Sequence, residues 1–400
     1  MDVIAAVVRE HAAPFTIEDV RLDDPQSDEI LVRVVAVGIC HTDLAVQRGH
    51  IPVPLPAVLG HEGAGIVEAV GTGVVDLSPG DHVILSQVLC GSCARCTGGE
   101  PAYCEHAARL SLGGRREDGT TPISDGDGPI SSNFVGQSSF ATSAIVKARN
   151  AFRIDDDLPL ATLAPIGCGV MTGAGAVVND GGIAPGDAVA VFGCGTVGLA
   201  AIMAAKVLQA ERIIAVDVNP ARLELAAKLG ATDTLAVGDA AVADVHRLTG
   251  GGVDLAVEAA GSPAAATAAI GSTHTRGRTV IVGAAPFGST LDVDWWTLAA
   301  GRTVQGSVIG SSNPPVDIAR LVQWWRDGEL PIEDLETRYR FDEINDAVIA
   351  MAAGDVVKPV IVMDASGGGT ATSDRSASSG ANPEKSHPPA SATESRNHRA

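Results

Sequence analysis

Short runs of alternating apolar and polar residues, separated by glycines, make up the first part of the chain. The clearest strand is predicted at residues 30–37, and shorter strands are predicted at 65–71 and 80–85. Short strands with frequent turn residues between them are typical of a mostly β, barrel-like domain. We assign residues 1–169 to this domain, and we expect the polar, Gly-rich residues 111–132 to form a surface loop.

A different pattern begins at residues 188–192, where a continuous apolar run predicts a strand buried on both faces of a parallel sheet. Predicted helices and strands then alternate. The helices are predicted at 196–208, 221–229 and 264–270, and the strands at 212–217, 253–259 and 279–282. This alternation predicts an α/β fold with a doubly wound parallel sheet, which we place at residues 170–307.

The end of the chain has two parts of different character. Residues 308–364 lose the regular alternation and contain helical patterns at 318–326 and 341–353 and a last strand at 358–362. Residues 365–400 are dominated by small and polar residues and lack large apolar side chains. Such a segment cannot bury enough apolar surface to offset the entropy lost on ordering, so we expect a disordered tail.

The composition of the 400 residues narrows the class of protein. A hydrophobic content of 46% with 19% charged residues describes a soluble globular protein, and a formal net charge of −20 disfavours nucleic acids and anionic membranes as partners. No apolar run approaches the roughly 18 residues of a transmembrane helix, and the N-terminus lacks the pattern of a signal peptide. Seven cysteines without a secretory signal favour metal binding or catalysis in a reducing cytoplasm.

Four of the cysteines lie close together in a Gly-rich segment. Their pattern is Cys90-x2-Cys93-x2-Cys96-x7-Cys104. Four thiolates at this spacing suit a closed tetrahedral zinc site that stabilises a lobe of the protein. An iron–sulfur cluster and four unligated thiols are the alternatives, although the last spacing differs from that of bacterial ferredoxins.

A second set of metal-ligand residues is spread over the chain. Cys40, His61 and Cys168 offer two sulfurs and one imidazole, a combination that leaves the fourth position of a catalytic zinc open. The alternative is two buried cysteines and a hydrogen-bonded core histidine. With Cys194 inside a glycine turn, no pair of cysteines remains for a disulfide.

That glycine turn fits the pattern G-x-G-x-x-G over residues 193–198, between a predicted buried strand and a predicted helix. Asp217 ends the next predicted strand. In this context the glycines permit close approach of a dinucleotide pyrophosphate, and the carboxylate favours NAD over NADP by accepting hydrogen bonds from the ribose. Arg222 could soften that preference, and a Gly-rich turn without a ligand is the alternative interpretation.

Taken in order, these motifs resemble the zinc-dependent alcohol dehydrogenases of the medium-chain dehydrogenase/reductase family over about residues 1–364. The segments that carry the resemblance are Gly38–Asp43, Gly60–Gly65, the four cysteines, Gly167–Gly169, and the glycine turn with Asp217. Residues 52–56, 134–142 and 171–175 most resemble the branch that acts on benzyl or aryl alcohols.

The resemblance implies a GroES-like catalytic domain, built from residues 1–169 and 308–364, into which a Rossmann NAD domain is inserted. It implies two zinc ions, the catalytic one on Cys40, His61 and Cys168 with Glu62 behind it, and Thr42 bonded to the alcohol hydroxyl. His41 and Lys358 are expected near the cofactor phosphates. The remaining cofactor contacts are expected from Gly193, Gly195, Thr196, Val197, Gly198, Asp217, Arg222 and Thr172, and the substrate pocket from Ser86, Phe134, Val135 and Ala284.

One position departs from the family pattern, because Ala45 stands where many members have a histidine that ends a proton relay. The proton then leaves through the ribose hydroxyls and water, or through another histidine such as His41 or His50. The reaction expected is oxidation of a primary aryl alcohol with NAD, and its reverse. The alternatives are an aliphatic or terpenoid alcohol, a formaldehyde–thiol adduct, or a zinc-braced NAD-binding protein without turnover. Residues 303–308 could be an edge strand, so we expect a homodimer or homotetramer.

Overall fold

The two parts of the chain form sheets of different kinds in the computed structural model, which describes residues 1–363. The tail expected at residues 365–400 therefore lies outside the described residues. The strands are β1 Asp2–Val8, β2 Thr16–Leu22, β3 Glu29–Gly38, β4 Ala57–Val58, β5 Glu62–Val70, β6 His82–Leu85, β7 Ile123–Asp125, β8 Gly128–Ile130, β9 Ser143–Lys147, β10 Ala151–Ile154, β11 Ala188–Phe192, β12 Arg212–Asp217, β13 Asp233–Ala236, β14 Val253–Glu258, β15 Thr273–Ile281, β16 Thr303–Gly306, β17 Glu336–Arg340 and β18 Lys358–Val362.

Helices lie between these strands along the described part of the chain. The α-helices are α1 His41–Gln47, α2 Ala94–Thr97, α3 Ala107–Leu112, α4 Leu160–Leu163, α5 Gly169–Gly175, α6 Thr196–Val207, α7 Pro220–Leu229, α8 Ala241–Thr249, α9 Pro263–Gly271, α10 Trp295–Ala299, α11 Pro314–Arg326 and α12 Ile344–Ala353. A wider turn of helix over Ala176–Gly181 extends α5. Within residues 1–363 no single helix is long and apolar enough to cross a membrane. The bent pair 160–167 and 169–181 passes that test by length and composition only.

The antiparallel part consists of two sheets whose strand pairs are antiparallel except for β17 and β18, which pair in parallel. One has the order β4-β1-β2-β7-β8, and the other has the order β10-β6-β5-β3-β18-β17 with β9 also paired to β3. Large apolar side chains such as Ile30, Leu59 and Phe140 fill the core of this part. Strand β18 pairs antiparallel with β3, so the last described strand of the chain returns to the sheet built by its first part.

The parallel part has the strand order β13-β12-β11-β14-β15-β16, with all pairs parallel. This is the doubly wound arrangement in which ligands bind at the carboxyl ends of the central strands. The predicted strands at 188–192 and 212–217 are confirmed to the residue. Strand β13 and helix α8 have no counterpart in the sequence prediction, because β13 is a half-exposed edge strand without a continuous apolar run.

The expectation of a surface loop over residues 111–132 is wrong for part of that segment. Strands β7 and β8 form a hairpin whose turn is closed by Asp125, which accepts hydrogen bonds from the backbone N–H groups of Asp127 and Gly128. Arg116 is buried and donates to both carboxylate oxygens of Glu29, at 3.1 and 3.0 Å. The polar composition of this segment does not indicate a solvent-exposed loop, because the charged side chain of Arg116 is paired with Glu29 inside the protein.

Candidate active site

Cys40 lies immediately before α1, where the carboxylate of Asp43 organises the backbone. Asp43 is fully buried, and its Oδ2 accepts a hydrogen bond of 2.9 Å from the N–H of Cys40, which caps the start of the helix. The hydroxyl of Thr42 lies 3.7 Å from the Cys40 sulfur. The first turn of α1 therefore places a thiol and a hydroxyl side by side.

The other oxygen of Asp43 orients the imidazole of His61. Asp43 Oδ1 lies 3.1 Å from His61 Nδ1 and accepts a 3.1 Å hydrogen bond from the N–H of Gly60. A carboxylate at Nδ1 fixes the tautomer that leaves Nε2 free to bind a metal. The ring of Phe134 packs edge-on against the imidazole, with ring centres 5.5 Å apart.

Gln137 holds the backbone on which His61 and Ser86 lie. Its amide nitrogen donates to the carbonyl oxygens of His61 and Ser86, at 2.8 and 3.2 Å, and its oxygen accepts from the N–H of Gly63. The sequence pattern alone predicts no role for Asp43 or Gln137. The signal for Asp43 was present, since an acidic residue at the third position of a helix is a common cap.

Cys168, which precedes α5, completes the cluster. Ligand atoms of Cys40, His61, Glu62 and Cys168 all lie within 4.8 Å of one another. The structure therefore brings together the three side chains that the sequence predicted, with the carboxylate of Glu62 beside them. Two sulfurs and one imidazole at these distances suit a zinc ion that keeps one position open.

The electrostatics of the cluster favour a cation at its centre. A hydrogen bond from Cys168 lowers the pKa of Cys40 well below its usual value, and the same bond raises the pKa of Cys168 well above its own. Two adjacent buried thiols cannot both ionise without compensation. Burial lowers the pKa of His61, but the charges of Asp43 and Cys40 outweigh burial, so its pKa is well above the usual value. A cation bound between these groups would stabilise both thiolates, so the donor set fits zinc.

Behind the cluster, Lys358 forms a buried ion pair with Glu62. Its ammonium donates to both carboxylate oxygens, at 2.8 and 3.0 Å, and to the carbonyl of Ile39 at 2.9 Å. Burial raises the pKa of Glu62 to about 7 although Lys358 opposes this, whereas the negative charges around Lys358 raise its pKa in spite of burial. Its three donors have partners inside the protein. This position differs from the expectation that Lys358 faces the cofactor phosphates.

The four-cysteine lobe forms a second cluster of sulfur ligands. The four sulfurs lie within 4.8 Å of one another, with 3.9 Å between Cys90 and Cys96 and 4.0 Å between Cys93 and Cys104. Tetrahedral zinc with sulfur ligands requires sulfur–sulfur separations of about 3.8 Å. Burial raises the pKa of Cys90, but hydrogen bonds from the N–H groups of Ser92 and Cys93 lower it to about 6. These donors prepare the thiolate for a metal.

The glycine turn connects β11 to α6 and is crowded on one side only. Gly193 has a φ of +95°, and a Cβ added there would lie 2.7 Å from the N–H of Ala260, so no other residue fits. A Cβ at Gly195, in contrast, would meet open space. The turn is thus closed toward the protein at Gly193 and open at Gly195, at the start of α6, where Thr196 and Val197 follow. An open helix N-terminus of this kind is the geometry that suits a phosphate group.

Asp217 lies at the end of β12, next to this turn. Its Oδ2 accepts a 2.6 Å hydrogen bond from the N–H of Cys194, and its Oδ1 accepts a 2.8 Å bond from the N–H of Asn219. Both oxygens are therefore fixed in place. Arg222 is half-buried on α7, and its Nε has no hydrogen-bond partner within the described part of the chain.

The other expected site residues have varied surroundings. Thr172 donates to the carbonyl of Cys168 at 2.8 Å, and Ser86 is fully buried and donates to the carbonyl of Gly167 at 2.7 Å. Ser86 therefore supports the backbone before Cys168, and its hydroxyl does not face an open pocket. Val135 is half-buried beside Phe134. His41 and Ala284 are exposed, and Ala284 packs at Gly261 on the parallel part.

Comparison with known proteins agrees with both halves of this picture. The family model of the alcohol dehydrogenase GroES-like domain matches residues 26–156, and that of the zinc-binding dehydrogenases matches residues 196–325. Geraniol dehydrogenase of Castellaniella defragrans is 43% identical over 366 residues, which are 90% of this chain and 97% of that protein. S-(hydroxymethyl)glutathione dehydrogenase of Saccharomyces cerevisiae is 36% identical, covering 90% of this chain and 96% of its own.

Among solved structures, benzyl alcohol dehydrogenase from Acinetobacter calcoaceticus matches with a TM-score of 0.88 at 41% identity, over 91% of this chain and 100% of that one. These likenesses confirm the fold class and the family resemblance expected from the sequence.

Substitution of Asp43 tests the geometry of the cluster. Asp43→Asn replaces the carboxylate that orients His61, and such a change typically costs ten- to a hundredfold in metal affinity. We expect the cluster of Cys40, His61 and Cys168 to lose zinc at low chelator concentration, while the four-cysteine lobe retains it. Native mass spectrometry measures the zinc content of each variant. The exposed Asp76→Asn serves as the control. Equal zinc retention in both variants would contradict the orienting role of Asp43.

Proposed function

The chain belongs to the zinc-dependent alcohol dehydrogenases of the medium-chain dehydrogenase/reductase family, and on that premise we propose that it oxidises a primary alcohol of the benzyl type to the aldehyde. Its enzyme class is that of the NAD-dependent alcohol dehydrogenases, and zinc and NAD are its cofactors. The observation that carries the proposal is the cluster of Cys40, His61 and Cys168 with the hydroxyl of Thr42 beside it.

In this proposal Cys40, His61 and Cys168 hold the catalytic zinc, with Glu62 behind it, and the four-cysteine lobe holds the structural zinc. When bound, zinc supplies a Lewis acid for the substrate oxygen and NAD supplies the hydride acceptor. Thr42 accepts the proton of the alcohol and orients its oxygen. With Ala45 unable to carry a proton, the exposed His41 next to Thr42 passes it to solvent.

An aryl substrate agrees with the apolar character of the expected pocket walls. Phe134 lies against His61, and Val135 and Ala284 are the other apolar candidates. Benzyl alcohol and geraniol, named in two of the relatives, are both primary alcohols with an unsaturated carbon beside the reacting one. A glutathione adduct is less favoured, because its carboxylates need cationic partners and the candidate walls carry no charge.

A panel of alcohols at fixed NAD tests this function. We expect kcat/KM to be highest for benzyl alcohol, lower for geraniol, and lowest for S-(hydroxymethyl)glutathione, with NADH formation followed by absorbance. Cys168→Ser should abolish turnover with every alcohol because it removes a metal ligand, while NADH binding, followed by fluorescence, remains. A preference for S-(hydroxymethyl)glutathione would contradict the aryl assignment, and full activity of Cys168→Ser would contradict the assignment of the metal ligands.

The coenzyme preference is proposed to depend on Asp217. A fixed carboxylate at the end of β12 accepts hydrogen bonds from the adenosine ribose and repels a 2′-phosphate, so NAD is favoured over NADP. Asp217→Gly should raise kcat/KM for NADP relative to NAD by at least tenfold in initial-rate assays, since the repulsion disappears and Arg222 lies nearby. The matched control is Asp233→Gly on β13. An unchanged coenzyme ratio would exclude the ribose role.

We also propose that the protein forms a homodimer or homotetramer through the edge of the parallel sheet, in a reducing cytoplasmic setting in which its seven cysteines form no disulfides. Strand β16 is the last strand of that sheet, and Trp295 and Trp296 on the adjoining α10 are each 77% exposed. Unpaired edges and exposed aromatic side chains favour association.

The double variant Trp295→Glu/Trp296→Glu should shift the sedimentation coefficient from that of an assembly to that of a 40.6 kDa chain. The exposed Val75→Glu, in the antiparallel part, is the control. An assembly that survives the double substitution would place the interface elsewhere.

A further inference from the structure

A buried carboxylate lies at the end of the helical segment that extends α5. Asp180 is 7% exposed, and its Oδ1 accepts hydrogen bonds from Gln305 Nε2 at 2.9 Å and from Ser311 Oγ at 2.6 Å. Its Oδ2 accepts a 2.5 Å bond from Ser307 Oγ. All three side-chain donors come from one segment, residues 305–311. This segment begins at the end of the edge strand β16 and continues beyond it. The carboxylate therefore fixes the course of that segment.

The four-cysteine lobe joins this network through Tyr103. The phenol oxygen of Tyr103 lies 2.6 Å from Ser311 Oγ, although the two residues are 208 positions apart. An ionised carboxylate only accepts hydrogen bonds, so the single hydroxyl proton of Ser311 points to Asp180. Tyr103 is consequently the donor to Ser311. It is also the neighbour of Cys104, so the network begins at the cysteine cluster.

The segment that forms these hydrogen bonds has a strained backbone at residues 309–311. Ile309, Gly310 and Ser311 have φ values of +50°, +63° and +49°. The left-handed region is unfavourable for side chains other than glycine, and most of all for a β-branched one. Asn179 Nδ2 adds a 3.0 Å hydrogen bond to the carbonyl of Gly310. Polar contacts to Asp180, Tyr103 and Asn179 hold a turn that the chain would not adopt alone.

This turn packs directly on the backbone of α5. A Cβ at Gly310 would lie 2.5 Å from the carbonyl oxygen of Thr172, and one at Gly175 would overlap the carbonyl of Gly310. On its other side α5 touches the glycine turn, since a Cβ at Gly173 would overlap the carbonyl of Val197. The helix is thus held between the strained turn and the dinucleotide-binding turn, and it begins directly after Cys168.

We infer that the four-cysteine lobe positions the cofactor cleft through the hydrogen bonds Tyr103–Ser311–Asp180, and that Tyr103 and Ser311 are positioning residues for NAD. The inference rests on the proposed function, because it takes the glycine turn as the NAD site. The lobe then has a second role besides local stability. Loss of its link to the turn at 309–311 lets α5 shift against Val197, and the cofactor binds less tightly.

The test is a double-mutant cycle on the zinc-loaded enzyme. Tyr103→Phe, Ser311→Ala and the double variant are compared for NADH binding by fluorescence titration and for KM of NAD and of the alcohol. Loss of one hydrogen bond should raise the dissociation constant of NADH about three- to tenfold, with KM of the alcohol unchanged. The double variant should resemble Ser311→Ala, because Tyr103 has lost its acceptor there.

Two further variants separate positioning from general stability. Tyr339→Phe removes the hydroxyl of the other tyrosine in the chain and should bind NADH like the wild type. Ser311→Gly favours the left-handed turn without the hydroxyl, so its NADH affinity should recover toward that of the wild type. Zinc content should stay constant throughout, and the melting temperature should fall by only a few degrees.

Unchanged NADH binding in Tyr103→Phe, or additive effects in the double variant, would overturn the inference while leaving the proposed function intact. A wild-type enzyme that binds no nicotinamide dinucleotide would overturn both. A weakened NADH affinity that recovers in Ser311→Gly, with zinc content unchanged, would support the positioning role.

Discussion

The buried ion pair between Lys358 and Glu62 is the interaction on which the candidate site depends. Lys358 also donates to the carbonyl of Ile39, and Glu62 also accepts a 3.1 Å hydrogen bond from the N–H of Gly169. Ile39, Glu62 and Gly169 are the chain neighbours of Cys40, His61 and Cys168. One ion pair therefore connects the backbone beside all three proposed zinc ligands. Buried ion pairs contribute little to net stability because desolvation is costly, so its importance here is geometric.

The same pair explains why the chain has to return to its first sheet at β18. Lys358 is the first residue of that strand, and it reaches Glu62 only because β18 pairs with β3 next to β5. The preceding residue, Val357, accepts a hydrogen bond of 3.3 Å from Thr196 at the start of α6. Two consecutive residues near the end of the described chain thus contact the metal cluster and the start of the helix that follows the glycine turn. The return of β18 to the sheet that contains β3 is what makes this double contact possible.

The sequence predicted the metal ligands and the glycine turn because their chemistry depends on residue type and spacing. The four cysteines and the turn at Gly193 lie within short segments, so local pattern was sufficient. The roles of Asp43, Gln137 and Lys358 depend on which distant backbone groups lie nearby, and spacing does not reveal this. The role of the fully buried Ser86 was equally unpredictable from spacing, because its hydroxyl donates to the carbonyl of Gly167, 81 positions away. The hairpin at 123–130 was missed because charged residues such as Arg116 were taken to be solvent-exposed.

Helix α5 shows why local propensity was a poor guide at the centre of the site. Its sequence contains Gly169, Gly173 and Gly175, and each glycine in a helix costs about 1 kcal/mol relative to alanine. Gly173 and Gly175 are required by the backbone of the glycine turn and of the strained turn, and a Cβ at Gly169 would crowd the carboxylate of Glu62. Backbone contacts of this kind leave little freedom for adjustment, so the fold fixes the position of the metal cluster relative to the glycine turn. Differences in substrate choice must then arise from side chains beyond this helix, among which Phe134 and Val135 lie beside the proposed zinc ligand His61.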